Sequence, residues 1–172
     1  MKYDNLNQFK DSFSSYTELR VQENRNNRVN LTNGDVTGNI AGTVSGVSAR
    51  VFKDGNWGFS SNPDISNDSI ENVVRASTDN VQFMNKKDTT RCGLFLPETQ
   101  ANYIMNFTTK KDRQNQKFWV DFIKEVDGYI EKKYPELLSR NLVLGGLDME
   151  KSLFTSDGSE SYSMTPRAIL YI

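Results

Sequence analysis

The sequence predicts an α+β fold in which a curved antiparallel sheet of hairpins carries helices packed on it. Stretches such as "YTELRVQEN" and "RVNLT" alternate apolar with polar residues, which is the period of a half-buried strand. The dipeptides Asn33-Gly34 and Asp54-Gly55 each follow such a stretch, and both favour the two-residue turns of hairpins. Apolar residues also recur at helical spacing after Pro63 and again from Trp119. Hairpins together with separate helices indicate the α+β class.

The first elements are a short helix and the strands around the first turn. Residues 4–13 carry apolar residues at helical spacing, which predicts an amphipathic helix. After the turn, apolar residues occupy even positions over residues 36–44 but odd positions over residues 47–51. Because such a change of phase would turn the buried face outward, a bulge or break is expected over residues 42–46.

The second hairpin has two different faces. With Asp54-Gly55 as a two-residue turn, Phe52 pairs with Trp57 and Val51 pairs with Gly58. One face then carries aromatic side chains and the other carries small ones. We expect a helix or a second layer over the aromatic face and close backbone approach at the small face. The residues assigned to the turns and the packing of both hairpins are Asn33, Gly34, Phe52, Asp54, Gly55, Trp57, Gly58 and Phe59.

Two longer helices follow along the chain. The stretch "NDSIENVVRASTDNVQFM" is predicted to begin at an Asp68 cap, and its apolar stripe runs from Ile70 to Met84. The second helix, over residues 112–134, has an apolar stripe that includes Phe122 and ends before Pro135.

Three regions are predicted from these elements. Residues 1–84 form an N-terminal α+β domain, and residues 85–111, which show no sustained period, connect it to the rest. Residues 112–172 form the start of a second region, with the helix and antiparallel strands joined near Asp157-Gly158. This second region is expected to be truncated, because it ends on the apolar strand "AILYI".

The composition excludes several classes of function. The 172-residue chain has no histidine, so neither a Ser-His-Asp triad nor a Cys-His pair can form. Cys92 is the single cysteine, which excludes an intrachain disulfide and fits a reducing compartment. The net charge of -1 gives no general attraction for nucleic acid, so direct binding to it is not expected. No apolar run suits a signal peptide or a membrane span, and the expected location is cytoplasmic, with no membrane partner.

Four local features have both a functional and a structural interpretation, and the structural one is preferred for each. Asp148 and Glu150 could form a metal-binding or acid-base pair, but exposed strand carboxylates are more common. Cys92 could be a nucleophile, but an inert thiol is simpler without histidine. The glycines of "LGGLD" lack phosphate-loop spacing, and Trp57 is expected to pack rather than to hold a sugar. No catalytic, cofactor-binding or metal-binding residue is therefore assigned.

Three ordered segments carry a resemblance to a known family. "TELRVQENRNNRVNLTNGDV", "GVSARVFKDGNWGFSS" and "SIENVVRAS" resemble the N-terminal domain of the TldD/PmbA family of metalloproteases and modulators of DNA gyrase. The resemblance covers roughly residues 4–84. A weaker similarity continues through residues 112–134 into "LVLGGLDMEKSLFTSDGSE", which looks like the start of the family's middle region.

The resemblance implies a role as part of a larger protein. Family members are much longer than this chain, and in the TldD branch an H-E-x-x-x-H helix and a later cysteine hold the metal in a C-terminal region. PmbA-like members lack that motif and act as partners of TldD, with which they enclose a chamber for unfolded peptides. The chain is then the non-catalytic N-terminal portion of a zinc-dependent peptidase or of its partner subunit, inactive alone, with zinc only in the C-terminal region of the parent protein.

The partners that the resemblance implies are the C-terminal domain of the parent protein, a TldD/PmbA-type subunit in a homo- or hetero-oligomer, and unfolded peptide. The alternative function is a self-contained binding module. In that case the hairpin aromatics, chiefly Trp57, would hold a peptide or a sugar.

Overall fold

A computed structural model describes residues 5–87, 101–106 and 114–172. Within them, six strands form one sheet in the order β3-β2-β1-β5-β6-β4, accompanied by three helices. The predicted α+β class is confirmed. In chain order the elements are a 3₁₀ helix (Leu6–Ser12), β1 (Tyr16–Thr32), β2 (Asp35–Lys53), β3 (Asn56–Asn62), α1 (Asn67–Lys87), β4 (Asn102–Asn106), α2 (Gln116–Lys133), β5 (Asn141–Thr155) and β6 (Glu160–Tyr171).

The sheet is mixed rather than wholly antiparallel. β2 and β3 pair antiparallel, whereas β4 pairs parallel with β6, with Asn102 opposite Glu160. The prediction did not include β4, which lies inside the segment 85–111 that was read as connecting chain. A five-residue strand is too short to show a clear period in the sequence, and its pairing depends on a partner far along the chain.

The structure contains two compact units, each built from three separate stretches of the chain. The first unit combines Met1–Glu23, Val44–Asn106 and Glu150–Met164. The second unit combines Asn24–Thr43, Phe107–Met149 and Thr165–Ile172. The division predicted at residues 84 and 111 follows position along the chain, and it stays a prediction.

In the first unit, α1 and the 3₁₀ helix cover the odd-numbered positions of β1 and β2. The hydroxyl of Ser77, on α1, donates to the carbonyl oxygen of Ala49 on β2 at 2.9 Å and fixes the helix on the strand. Met84, predicted as part of the apolar stripe, is 45% exposed. The buried core consists of Leu6, Phe9, Leu19, Val21, Val47, Ala49, Ile70, Val73, Val74 and Phe154.

The start of α1 differs from the prediction by two residues. Ser66, rather than Asp68, caps the helix, because its hydroxyl oxygen accepts the backbone N–H of Ser69 at 3.3 Å. The carboxylate of Asp64 in turn accepts the hydroxyls of Ser66 and Ser69. These hydrogen bonds lower the pKa of Asp64 to about 2. Asp68 lies in the first turn of the helix, where a negative charge is also favourable.

In the second unit, α2 packs on β1 and β5. Its N-terminus is capped by Asn115, whose side-chain oxygen accepts the backbone N–H of Phe118 at 3.0 Å. Ile123 is fully buried, whereas its neighbour Phe122, predicted on the same stripe, is 40% exposed. The buried core consists of Val29, Leu31, Ile123, Leu142 and Leu144, with Trp119, Val120, Val126 and Ile130 packed against it.

Both Asx-Gly turns are confirmed. The φ angles of Asn33 and Gly34 are 49° and 89°, and those of Asp54 and Gly55 are 51° and 87°. Positive φ at both central positions is the signature of a type I′ turn, which matches the natural twist of a hairpin. The predicted register of the second hairpin is also confirmed, with Phe52 opposite Trp57 and Val51 opposite Gly58.

The predicted break in β2 is not found, and the predicted bulge stays a prediction. β2 is continuous from Asp35 to Lys53, and residues 42–46 lie within it. The even-numbered apolar residues Val36, Ile40 and Val44 are exposed by 37%, 63% and 66%. The change of phase coincides with the point along β2 where exposed apolar residues give way to buried ones.

Arg140 anchors the first hairpin turn in the second unit. Its guanidinium donates to both carboxylate oxygens of Asp127, at 2.9 and 3.2 Å, and to Glu131 at 3.0 Å. Its backbone exchanges two hydrogen bonds with Asn33, at 2.7 and 2.9 Å. The charged groups raise the pKa of Arg140 further above its ordinary value, chiefly through the hydrogen bond to Asp127. One arginine thus joins α2, the turn after β1 and the chain that enters β5.

Candidate functional site

The second hairpin meets α1 at Gly58. A β-carbon at this position would lie 2.1 Å from the carbonyl oxygen of Ser77 and 2.5 Å from the backbone nitrogen of Val81. Two asparagines of the helix also hold the hairpin backbone, Asn80 at the carbonyl of Phe59 and Asn85 at that of Lys53. The backbone of α1 therefore lies directly against β3, as the small face predicted.

The aromatic face of the hairpin is open, which corrects the expectation that a helix would cover it. The helix lies on the other face because only small residues there let the two backbones approach. Trp57 is 39% exposed and Phe59 is 60% exposed. We define the aromatic surface as Tyr16, Arg50, Phe52, Trp57 and Phe59. It is the candidate functional site of the first unit.

Trp57 lies at the centre of the aromatic surface. The ring of Phe52 is 5.1 Å from that of Trp57, and the ring of Tyr16 meets it edge-on at 6.1 Å. The guanidinium of Arg50 lies over the Trp57 ring at 4.8 Å, a cation-π distance. These contacts fix the indole while leaving part of it in contact with solvent, which suits a surface that binds another group.

Glu18 organises the polar side of the aromatic surface. Its carboxylate accepts two hydrogen bonds from the guanidinium of Arg50, one of them from Nη2 at 3.0 Å, and one from the hydroxyl of Tyr16 at 3.1 Å. The hydrogen bond to Glu18 raises the pKa of Arg50. Burial, and then the charge of Glu18, raises the pKa of Tyr16 to about 12. The arginine is thereby held in position over Trp57.

The raised pKa of Tyr16 predicts a separate step in an alkaline titration. The folded state favours the neutral phenol of Tyr16. Its contribution to the free energy of unfolding is therefore complete below the ordinary pKa of 10 and is lost as the pH rises towards about 12. Tyrosinate absorbance of the folded protein should show one group that titrates near pH 12. That step should vanish in Tyr16→Phe and move to lower pH in Glu18→Gln. Titration of every tyrosine near pH 10 would contradict the assignment.

Sequence reasoning found only part of this surface. It assigned Phe52, Trp57 and Phe59 to packing. It missed Tyr16 and Glu18, which come from β1. Glu18 and Arg50 are 32 positions apart, so neither composition nor local period connects them. The only feature of the sequence that could have connected Glu18 with Arg50 is their opposite charge on strands that are predicted to be neighbours.

The remaining sequence candidates fall elsewhere. Asn33 and Gly34 lie in the second unit, at the turn between β1 and β2. Asp148 and Glu150 lie on β5, where Glu150 accepts a hydrogen bond from the hydroxyl of Tyr162 at 3.1 Å. Cys92 is outside the described residues.

Two further properties bear on function. In residues 5–87, 101–106 and 114–172, no three acidic, cysteine or histidine side chains are placed to hold a metal ion. Over the same part of the chain, every helix is too short or too polar to cross a membrane.

Comparison with known families identifies the hairpin region. A family model described as PmbA/TldA metallopeptidase domain 1 matches residues 17–81, which run from the start of β1 into α1. This segment matches the first domain of the PmbA/TldD family. The resemblance drawn from the three ordered sequence segments is confirmed. Among curated proteins, no sequence matches the chain.

Three solved structures share the fold. TldE from Thermococcus kodakarensis is 11% identical, with a TM-score of 0.68 over 99% of this chain. Two proteins described as modulators of DNA gyrase are also similar. The one from Thermotoga maritima is 18% identical, with a TM-score of 0.65 over 98% of the chain, and the one from Bacteroides thetaiotaomicron is 13% identical, with a TM-score of 0.70 over 99%.

The chains of these three structures are much longer than this one. The aligned region makes up 37% of the T. maritima protein, 38% of TldE and 41% of the B. thetaiotaomicron protein. The chain thus spans about two fifths of each.

Proposed function

We propose that the chain acts as the N-terminal, non-catalytic portion of a TldD/PmbA-type protein, either a zinc-dependent peptidase or its partner subunit. In this role it forms scaffold and chamber wall for unfolded peptide substrates. The family match over residues 17–81 supports this role, as does the chain's coverage of two fifths of the similar structures. The absence of histidine supports a non-catalytic role, since an H-E-x-x-x-H helix cannot lie in this chain.

The observation that carries the proposal is the open aromatic surface. A partly exposed tryptophan that packs against a phenylalanine, an arginine and a tyrosine is an arrangement typical of the centre of an interface. We assign it as the docking site for the C-terminal region of the parent protein. Zinc, where the parent has it, belongs to that region. A cytoplasmic location is part of the same proposal, and the single cysteine supports it.

The parent gene provides the first test. Sequence past codon 172 should encode a further region, and an H-E-x-x-x-H helix there would assign the catalytic branch, while its absence would assign the partner branch. A stop codon directly after Ile172 would overturn the proposal.

Exposure of Trp57 provides the second test. With 5-fluorotryptophan incorporated, the ¹⁹F signal of Trp57 can be assigned by its loss in Trp57→Phe. In the 172-residue chain this signal should respond to a solvent relaxation agent, because the indole is 39% exposed. In the full-length parent it should be shielded. Equal exposure in both would show that the aromatic surface is not the docking site.

A self-contained binding module is the second candidate function, and the same exposed surface favours it. Trp57 and Phe59 could receive the face of a sugar ring or a side chain of a peptide. Binding by the 172-residue chain alone, lost in Trp57→Ala and retained in Phe122→Ala, would favour this function. Phe122 is the matched control because it is 40% exposed, close to the 39% of Trp57.

A further inference from the structure

A cavity of about 560 Å³ lies in the first unit, beside the 3₁₀ helix. The described residues that line it come from β4, β5 and β6, and Leu6 is the only one of them that belongs to a helix. Asn102 on β4 is opposite Glu160 on β6, and Ile104 shares their face of the sheet two residues further along β4. Sites for small molecules typically measure about 300–1,000 Å³. The cavity therefore has the size of a ligand site.

The inner end of the cavity is apolar. Leu6 and Phe154 line it and are only 6% and 3% exposed, and both belong to the buried core of the first unit. An aromatic ring offers a flat apolar contact to another ring or to an aliphatic chain. We therefore expect the body of a ligand to be apolar where it meets these two side chains.

A buried hydroxyl without a partner also lines the cavity. Ser152 is only 8% exposed. Its hydroxyl makes no hydrogen bond to any residue in the described part of the chain. Because the large majority of buried polar side chains have a hydrogen-bond partner, the partner of Ser152 is expected inside the cavity. A ligand should thus carry a hydrogen-bonding group in addition to its apolar body.

The mouth of the cavity carries a single charge. Glu160 and Ile104 line it and both are exposed, Ile104 by 78%. Among the described residues that line the cavity, Glu160 alone is charged, and its carboxylate forms no ion pair with any of the residues that the structure describes. A lone carboxylate at the mouth of an otherwise uncharged site attracts a cation and repels an anion.

We propose that this cavity binds a small aromatic amine. The ring packs against Leu6 and Phe154, the ammonium group pairs with Glu160, and a hydroxyl on the ring donates a hydrogen bond to the Ser152 hydroxyl oxygen. The same chemistry occurs in a free amine and in the amino-terminal residue of a peptide. Binding at this cavity goes beyond the proposed scaffold role and does not require it.

Tyramine is the probe for this site, because it combines a ring, an ammonium group and a phenolic hydroxyl. In a ligand-observed NMR titration of the 172-residue chain, it should bind about fivefold more tightly than 2-phenylethylamine, which lacks the hydroxyl. The anion 3-(4-hydroxyphenyl)propionate, with a carboxylate in place of the ammonium group, should not bind measurably. No binding of tyramine, or equal binding of the propionate, would overturn the proposal.

Two variants place the binding in the cavity. Ser152→Ala should weaken tyramine binding about fivefold and leave 2-phenylethylamine binding unchanged, since only tyramine has the hydroxyl that reaches Ser152. Glu160→Gln should weaken the binding of both amines about two- to fivefold. Glu125→Gln is the matched control, because Glu125 is an exposed residue of α2 in the second unit. Unchanged binding in both cavity variants would overturn the assignment of the site.

A short peptide distinguishes the two sources of the ligand. Tyr-Gly-Gly amide contains the tyramine group at its amino terminus. Binding of this peptide that is weakened by Glu160→Gln would assign the cavity to the end of a peptide, whereas binding of tyramine alone would assign it to a free amine. Either result supports the proposal, and the scaffold role is judged separately by the parent gene.

Discussion

Gly58→Ala is expected to lower the free energy of unfolding by about 3 kcal/mol, the upper end of the range for overpacked sites. The new β-carbon would lie 2.1 Å from the Ser77 carbonyl oxygen and 2.5 Å from the Val81 nitrogen. Both are backbone atoms of α1, so no side chain can rotate away, and the helix itself has to move off β3. Urea denaturation followed by circular dichroism measures the change.

Gly128→Ala is the matched control for this prediction. Gly128 lies inside α2, and nothing approaches within 4 Å of the position of its β-carbon. Since alanine is the better helix former, this variant should be more stable by about 0.5–1 kcal/mol. If Gly58→Ala unfolded at the same urea concentration as the wild type, α1 would not lie against β3 as described.

Arg140→Met is expected to lower the midpoint of thermal unfolding by about 10 °C. The side chains of Arg140 and Asp127 are only 11% and 4% exposed, and their ion pair is bidentate. Methionine retains much of the apolar stem but leaves a buried carboxylate without its cation. The loss comes mainly from that stranded charge. Differential scanning calorimetry measures it.

Two further variants separate this effect from a general loss of charge. Lys117→Met removes a lysine that forms an ion pair with Asp121 on the same helix. The charged atoms of this pair are 3.9 Å apart, and the side chains of Lys117 and Asp121 are 84% and 62% exposed. Its midpoint should change by no more than about 2 °C. Asp127→Asn should restore part of the stability of Arg140→Met, because a neutral amide is less costly to bury. No recovery would indicate that the loss in Arg140→Met does not come from the stranded carboxylate of Asp127.

Short-range chemistry accounts for what the sequence predicted well. Asn33-Gly34 and Asp54-Gly55 adopt positive φ at low cost, so the turns and the register of the second hairpin follow from a few adjacent residues. The spans of α1 and α2 follow from the period of their apolar residues in the same way. The family resemblance rested on these same local features in order.

The choice between two faces could not be predicted from local pattern. The hairpin offers an aromatic face and a small face, and either could have been covered by a helix. The structure places α1 on the small face, because Gly58 lets the backbones meet. This choice left Trp57 partly exposed and made the aromatic surface a candidate interface rather than core.

The sequence by itself determined the two longer helices, the two turns, the pairing across the second hairpin and the absence of histidine chemistry. These depend on residues close together in the chain or on composition alone. Only the tertiary structure decided which faces are buried, the parallel pairing of β4, the Arg140–Asp127 ion pair and the joining of Tyr16 and Glu18 to Arg50. Those features depend on which distant segments meet, and packing of the whole chain selects among several arrangements that the local pattern permits equally.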